Sequence, residues 1–253
     1  MKISVVINYC TNDFRFLEVC LRETKKISDD IIVSSFEKFY DGSDENVDLL
    51  LKSKHLCNLY GIEFSSYSHG EDFYTCHGHI RDMLTRQNGF IKTKYDWVLF
   101  LDVDEIVDAT LMNNFLKDNV IFREYDVLQF ECYWYFREPI FRSKTNEQQP
   151  MMFNKNVVVF DIALNSKKDR CFYRNTEYKS CTFLKYTDLP LFHHYGWVRK
   201  KEEMIKKVTT WGHKNDRDWV KLIETEFSRE FTENDHDFVN GYSFDKVENI
   251  FNL

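Results

Sequence analysis

One stretch of sequence decides the fold class of this chain: DWVLFLDVDEIVD, residues 96–108. Residues 97–101 are apolar without a break, which is typical of a strand buried on both faces in a parallel sheet. Four acids follow within seven residues, at Asp102, Asp104, Glu105 and Asp108. Ligands of such sheets bind beyond the carboxyl ends of the strands, so the acids stand where this fold would place a site.

Upstream of this strand, the sequence alternates predicted strands with predicted helices. Strands are predicted at 2–8, 30–34 and 62–64, and helices at 13–26, 47–60 and 77–90. The last helix is predicted to end at the stop signal Asn88-Gly89. This alternation predicts an α/β fold with a mixed, mostly parallel sheet flanked by helices.

The second half of the chain has a different pattern. Strands are predicted at 125–136 and 157–162, and helices at 202–211 and 219–227. We therefore divide the chain into an α/β domain at residues 1–197 and a helical C-terminal extension at residues 198–253, packed on the core.

The composition favours a globular protein and sets limits on its partners. The 23 Phe, 14 Tyr and 5 Trp supply a large buried area. A net charge of −7 gives no global electrostatic reason to bind nucleic acid or an anionic membrane. Seven cysteines without a C-x-x-C pair predict reduced thiols and a cytoplasmic protein. No segment approaches the roughly 20 apolar residues of a membrane span.

The acids after the strand have two interpretations. If the strand continues, Asp102 and Asp104 share a face, and such close carboxylates repel each other unless a cation neutralises them. Oxygen ligands suit Mg²⁺ or Mn²⁺. Alternatively, the acids belong to a solvated loop and cap the next helix. The buried strand before them and the change to helix after them favour the metal site.

Three segments resemble the nucleotide-sugar glycosyltransferases of the GT-A fold, especially the broad family 2 group. The first is Arg86-Gln-Asn-Gly89, followed by the strand that ends in Leu101-Asp-Val-Asp-Glu105. The second is VVINYCTND at 5–13, and the third is FHHYGWVR at 192–199. The resemblance covers residues 2–211 and implies that residues 1–197 form a Rossmann-like GT-A catalytic domain.

The loop after the second strand departs from the family pattern. Family 2 members often carry D-D-G-S-T-D there to hold the base and ribose, whereas residues 34–43 are SSFEKFYDGS. This loop is similar to those of small glycosyltransferases of large DNA viruses and phages.

The resemblance also implies roles for individual residues. Metal ligands are expected at Asp104, at Asp102 and at His194 or its neighbour His193, with Mn²⁺ or Mg²⁺ as the ion. Donor contacts are expected at Tyr9, Ser35, Arg86 and Asp102. A hydrogen-bonded core histidine and a surface arginine are the alternatives for the histidines and for Arg86.

An inverting transfer needs a carboxylate that takes the proton of the acceptor hydroxyl. Glu131 is our first candidate, because a carboxylate among the aromatic residues of a strand is costly without a function or a partner. Asp161 and Glu138 are the rival candidates. For each of them, a structural salt bridge is the alternative.

The predicted reaction is metal-dependent transfer of a sugar from a nucleotide-diphosphate sugar to a glycan or glycoprotein hydroxyl, a viral capsid protein included. One alternative acceptor is a hydroxymethylated base in DNA, since residues 199–221 hold eight Lys or Arg against four Asp or Glu. A metal-dependent nucleotidyltransferase and a non-catalytic sugar-binding module are further alternatives.

Overall fold

The computed structural model describes residues 1–39, 41–68, 78–118, 120–157 and 179–253. In the first half, strands and helices alternate in the predicted order. They are β1 (Ser4–Tyr9), α1 (Phe14–Thr24), β2 (Asp30–Phe36), α2 (Val47–Leu59), β3 (Glu63–Tyr67), α3 (Gly78–Phe90) and β4 (Trp97–Asp102).

The second half contains most of the remaining strands. Its elements are β5 (Glu105–Val107), α4 (Ala109–Phe115), α5 (Ile121–Glu124), β6 (Val127–Phe136), β7 (Phe141–Ser143), β8 (Glu147–Asn154), β9 (Ser180–Leu184), β10 (Phe192–Trp197), α6 (Lys201–Thr210), α7 (Trp219–Glu226) and β11 (Phe244–Lys246). Helices α6 and α7 begin and end within a residue of the predicted bounds. The strand predicted at 157–162 lies almost entirely outside the described residues.

The strands form one mixed sheet with the order β11-β7-β6-β8-β4-β1-β2-β3. Strands β3, β2, β1 and β4 run parallel, and β8 joins this half to β6 by antiparallel pairing on both sides. Strands β9 and β10 pair with β6 in parallel, and β5 pairs antiparallel with β10. The predicted α/β class with a mixed, mostly parallel sheet is confirmed.

Both faces of the central strands are covered, which explains their uninterrupted apolar sequence. Leu99 and Leu101 of β4 pack with residues of α1, α2 and α4 on one face, while Val98 and Phe100 pack with Phe90 of α3 on the other. Successive side chains of a strand point to opposite faces, so a strand between two helical layers has no polar side.

Gly89 does not end its helix as predicted. Helix α3 continues through it to Phe90, and a Cβ on Gly89 would lie 2.5 Å from Val6 Cγ1 of β1. Asn88 donates hydrogen bonds to Ser34 Oγ at 3.1 Å and to Ser65 Oγ at 2.9 Å, on β2 and β3. Both residues therefore serve the packing of α3 on the sheet.

The C-terminal region packs against the sheet through a second aromatic cluster. In this cluster, Trp134 of β6 contacts Phe244 of β11, and Trp197 of β10 contacts Trp219 of α7. Strand β11 also pairs with β7, so residues 198–253 supply a strand as well as helices. No helix among the described residues is long and apolar enough to cross a bilayer.

Candidate active site

The acidic stretch leaves β4 through a tight turn. The strand ends at Asp102, residues 103 and 104 form a turn, and β5 begins at Glu105. The Glu105 carboxylate accepts a hydrogen bond from the Asp102 backbone N–H at 2.8 Å, which holds the turn closed. The expectation that Asp102 and Asp104 share one strand face is therefore wrong, and each aspartate has its own set of neighbours.

Asp102 lies between the ends of β1 and α3. Its Oδ1 accepts hydrogen bonds from Asn8 Nδ2 at 3.0 Å and from Arg86 Nη2 at 2.8 Å. The Arg86 side chain is 1% exposed, whereas that of Asp102 is 30% exposed. Arg86 is thus not a surface residue, and it fixes a carboxylate that still faces solvent.

Asp104 is buried, and residues from the C-terminal part of the chain surround it. Its Oδ2 accepts a hydrogen bond from Lys207 Nζ at 3.2 Å and lies 3.7 Å from Arg199 Nη2. Arg199 also forms an ion pair with Asp13, and this arginine and Lys207 lower the Asp13 pKa against the opposing effect of burial. No local pattern in the sequence assigns Lys207, Arg199 or Asp13 to the site.

The two adjacent histidines occupy different environments. His193 Nδ1 shares a hydrogen bond of 2.8 Å with the Tyr135 hydroxyl. Burial, and to a smaller extent the charge of Arg142, lowers the pKa of His193 to about 3. It is therefore a neutral core histidine. His194 lies with its Nε2 at 3.8 Å from Asp104 Oδ1. Strand β5 brings Asp104 and His194 together, because Glu105, the residue after Asp104, pairs with His194 of β10.

The other ring nitrogen of His194 faces a carboxylate that the sequence analysis missed. His194 Nδ1 lies 3.4 Å from Glu147 Oε2. Burial opposes protonation of His194, but the interactions with Glu147, Asp104 and Glu105 outweigh it and raise the pKa of the ring. Glu147 lies 43 residues beyond Asp104 in the sequence, on β8, and no local pattern marks it.

Gly196 leaves the space in which these groups meet. A Cβ at this position would lie 2.6 Å from His194 Nε2, 3.1 Å from Asp104 Oδ2 and 3.3 Å from Lys207 Nζ. The Gly196 carbonyl accepts a hydrogen bond from Lys207 Nζ at 3.0 Å. The glycine of the His-Tyr-Gly segment is therefore required by a close approach of polar side chains.

Glu131, the first candidate for the base, lies apart from these groups. Its Oε2 accepts a hydrogen bond from Asn146 Nδ2 at 2.7 Å and forms an ion pair with Lys185, whose Nζ is 3.1 Å away. The adjacent residue, Cys132, lies beside Glu147 and His194. Because adjacent strand residues point to opposite faces, Glu131 points away from these two side chains. Glu138 is exposed, and Asp161 lies outside the described residues.

Tyr9 and Ser35, the other predicted donor contacts, are buried. The Tyr9 hydroxyl shares a 2.6 Å hydrogen bond with Ser53 of α2, and Ser35 Oγ donates to the Phe36 carbonyl. Both hydroxyls thus have hydrogen-bond partners other than Asp102 and Asp104.

Asp108 has the capping function that was the alternative interpretation of the acids. Its carboxylate accepts a hydrogen bond from the Leu111 backbone N–H at 2.9 Å and caps α4. The basic segment 199–221 is likewise not one surface patch, because Arg199 and Lys207 are directed towards Asp104.

No protein-family model and no curated protein sequence matches the chain. Solved structures with a similar shape include residues 1–349 of TarS from S. aureus, with 14% identity and a TM-score of 0.46 over 90% of this chain and 73% of that chain. The mannosyltransferase PcManGT from Pyrobaculum calidifontis, solved with GDP-Man and Mn²⁺, has 9% identity and a TM-score of 0.46 over 91% of this chain and 65% of that chain.

A third similar structure is the glycosyltransferase GlyE of Streptococcus pneumoniae TIGR4. It has 15% identity and a TM-score of 0.31 over 60% of this chain and 34% of that chain. The chain also spans 43% of a longer TarS structure. At these identities and scores, the likeness by itself assigns no activity or substrate.

Proposed function

We propose that this protein is a metal-dependent glycosyltransferase that transfers a sugar from a nucleotide-diphosphate sugar to a hydroxyl acceptor with inversion. One observation carries the proposal. The fold brings Asp104 and His194 together beside the end of β4, 90 residues apart in sequence, and Gly196 keeps the space next to them clear. This is the edge of the sheet where parallel α/β folds bind ligands.

Two of the three predicted ligands are close enough to share a divalent cation. Asp104 Oδ1 and His194 Nε2 are 3.8 Å apart. Ligand bonds of about 2.0–2.2 Å allow two ligand atoms of one ion to lie up to roughly 4 Å apart, so both atoms can hold the same ion. Asp102, at the strand end and partly exposed, is the third proposed ligand. When bound, the ion would neutralise charge that develops on the diphosphate leaving group.

The cations around the acids support a function with an anionic substrate. Lys207 and Arg199 already compensate the charge of Asp104, and Arg86 compensates that of Asp102. A divalent ion therefore meets little net negative charge in the protein alone. We expect the donor diphosphate to supply the missing charge, so that ion and donor bind more tightly together than separately.

The catalytic base remains a prediction at Glu131 or Asp161. Glu131 has an ion-pair partner in Lys185, which by itself gives this partly buried carboxylate a structural role. Glu131→Gln separates the two functions. It should lower the rate of transfer to an acceptor by about 100-fold if Glu131 is the base, with donor binding unchanged.

The proposal is tested with Mn²⁺ and a panel of UDP- and GDP-sugars. Release of nucleoside diphosphate from a donor, abolished by EDTA and by Asp104→Asn, is the expected result. Release of pyrophosphate would instead show nucleotidyl transfer. Sugar binding with no release of either product would show a non-catalytic module. Glu202→Ala, on the exposed side of α6, is the matched control for the C-terminal region.

A further inference from the structure

A second group of potential metal ligands lies on the other side of the His194 ring. Cys132 of β6 and Glu147 of β8 are directly opposite each other across the two strands. Cys132 also pairs with Phe192 of β10, and His194 follows two residues later on the same face. One thiol, one carboxylate and one imidazole thus form a row across three neighbouring strands.

The atoms of this row are close enough to share an ion. One ligand atom from each of Cys132, Glu147 and His194 lies within 4.8 Å of the other two. Tetrahedral Zn²⁺ with bonds of about 2.0–2.3 Å needs ligand atoms roughly 3.3–3.6 Å apart. A movement of about 1 Å, shared among the side chains, closes the difference. The Glu147 side chain, with three rotatable bonds, can supply most of it.

We propose that Cys132, Glu147 and His194 Nδ1 form a binding site for a thiophilic divalent ion, Zn²⁺ in particular. A thiolate, an imidazole and a carboxylate are the ligand types that Zn²⁺ takes in proteins, and Mg²⁺ does not use thiolate ligands. Cys132 is buried, so the ion enters past Glu147 and His194, whose side chains are 14% and 17% exposed. Water completes the tetrahedron, and the thiol proton leaves to solvent.

Zn²⁺ at this site takes His194 away from the proposed metal site at Asp104. A neutral imidazole has one nitrogen lone pair, and the other nitrogen carries hydrogen. Zn²⁺ on Nδ1 therefore places the hydrogen on Nε2, and His194 then donates towards Asp104 instead of binding an ion there. Zn²⁺ should therefore compete with Mn²⁺ although the two ions bind at different sites. This consequence rests on the proposed function.

Cobalt binding to the 253-residue chain tests the site without any donor or turnover. Co²⁺ bound to a thiolate gives an intense near-ultraviolet charge-transfer band. We expect this band in the wild type and in Asp104→Asn, and its loss in Cys132→Ser. Zn²⁺ affinity, measured by competition with a chromophoric chelator, should fall by more than about 10-fold in Cys132→Ser and in Glu147→Gln. Cys181→Ser, which changes a thiol outside the row, should leave both unchanged.

A band that persists in Cys132→Ser would overturn the site, because the thiolate would then come from another cysteine. The absence of a band in the wild type, or its loss in Asp104→Asn, would overturn it as well. Manganese EPR then tests the competition: release of bound Mn²⁺ should need more Zn²⁺ in Cys132→Ser than in the wild type, because Zn²⁺ then competes only by direct replacement at Asp104. If no variant binds Mn²⁺, the proposed function fails while the cobalt spectrum still decides this site.

Discussion

Replacing Gly196 by alanine separates stability from function more cleanly than any other single change in the site. The new Cβ would lie 2.6 Å from His194 Nε2, where an ordinary contact needs about 3.4 Å, so the imidazole must move by about 0.8 Å. It would also press on Asp104 Oδ2 and Lys207 Nζ. All three atoms are the ends of side chains. These side chains therefore move before the backbone does, and the arrangement of the proposed site changes.

The cost to the fold should be small. Gly196 lies within β10 without a positive φ, and alanine there reduces the entropy of the unfolded chain by about 0.4–1 kcal/mol in favour of folding. Displacing three polar side chains costs a similar amount. We expect a change in the free energy of unfolding within about 1 kcal/mol. A misplacement of about 1 Å in a catalytic site costs on the order of 100-fold in rate.

The assay pairs urea unfolding with Mn²⁺ binding by EPR and with release of nucleoside diphosphate from the donor. The expected Gly196→Ala protein unfolds like the wild type but binds Mn²⁺ at least about 10-fold more weakly and turns over about 100-fold more slowly. Wild-type affinity and turnover in this variant would refute the role of the cleared space. A loss of several kcal/mol in stability would refute the argument that the side-chain ends yield first.

Three further predictions concern stability, donor binding and pH. Arg86→Met keeps most of the buried volume but removes the 2.8 Å hydrogen bond to Asp102. Binding of nucleoside diphosphate, measured by calorimetry, should weaken about 10-fold. The free energy of unfolding should fall by about 1–3 kcal/mol. Gly89→Ala forces a Cβ to within 2.5 Å of Val6 Cγ1 and should cost about 1–3 kcal/mol in urea unfolding, partly restored by Val6→Ala. Because the pKa of His193 is about 3 in the folded protein and near 6.5 when unfolded, the unfolded chain binds the extra proton between these values. The free energy of unfolding should therefore fall as pH drops from 6.5 towards 3, and His193→Gln should reduce that slope by up to about 1.4 kcal/mol per pH unit.

The sequence by itself determined the parallel half of the sheet and the edge at which the proposed site lies. An apolar run of strand length between helical segments has one stable environment, a parallel sheet covered on both faces, because any exposed face would require polar residues. The order of strands and helices and the acids at the end of β4 follow from this pattern. The same local reasoning placed Asp104 on the strand face of Asp102 and made Gly89 a helix stop, since turn closure by Glu105 and the approach of α3 to Val6 are contacts between elements.

Only the tertiary structure decided what each polar side chain does. His193 and His194 are adjacent and identical in type, yet one is a neutral core residue and the other faces Asp104 and Glu147. Lys207 reaches Asp104 from 103 residues away. The physical reason is the range of the interactions. The pattern of apolar residues that predicts burial lies within neighbouring residues of the sequence. The function of a charged group depends instead on the partners that the fold places within a few ångströms of it.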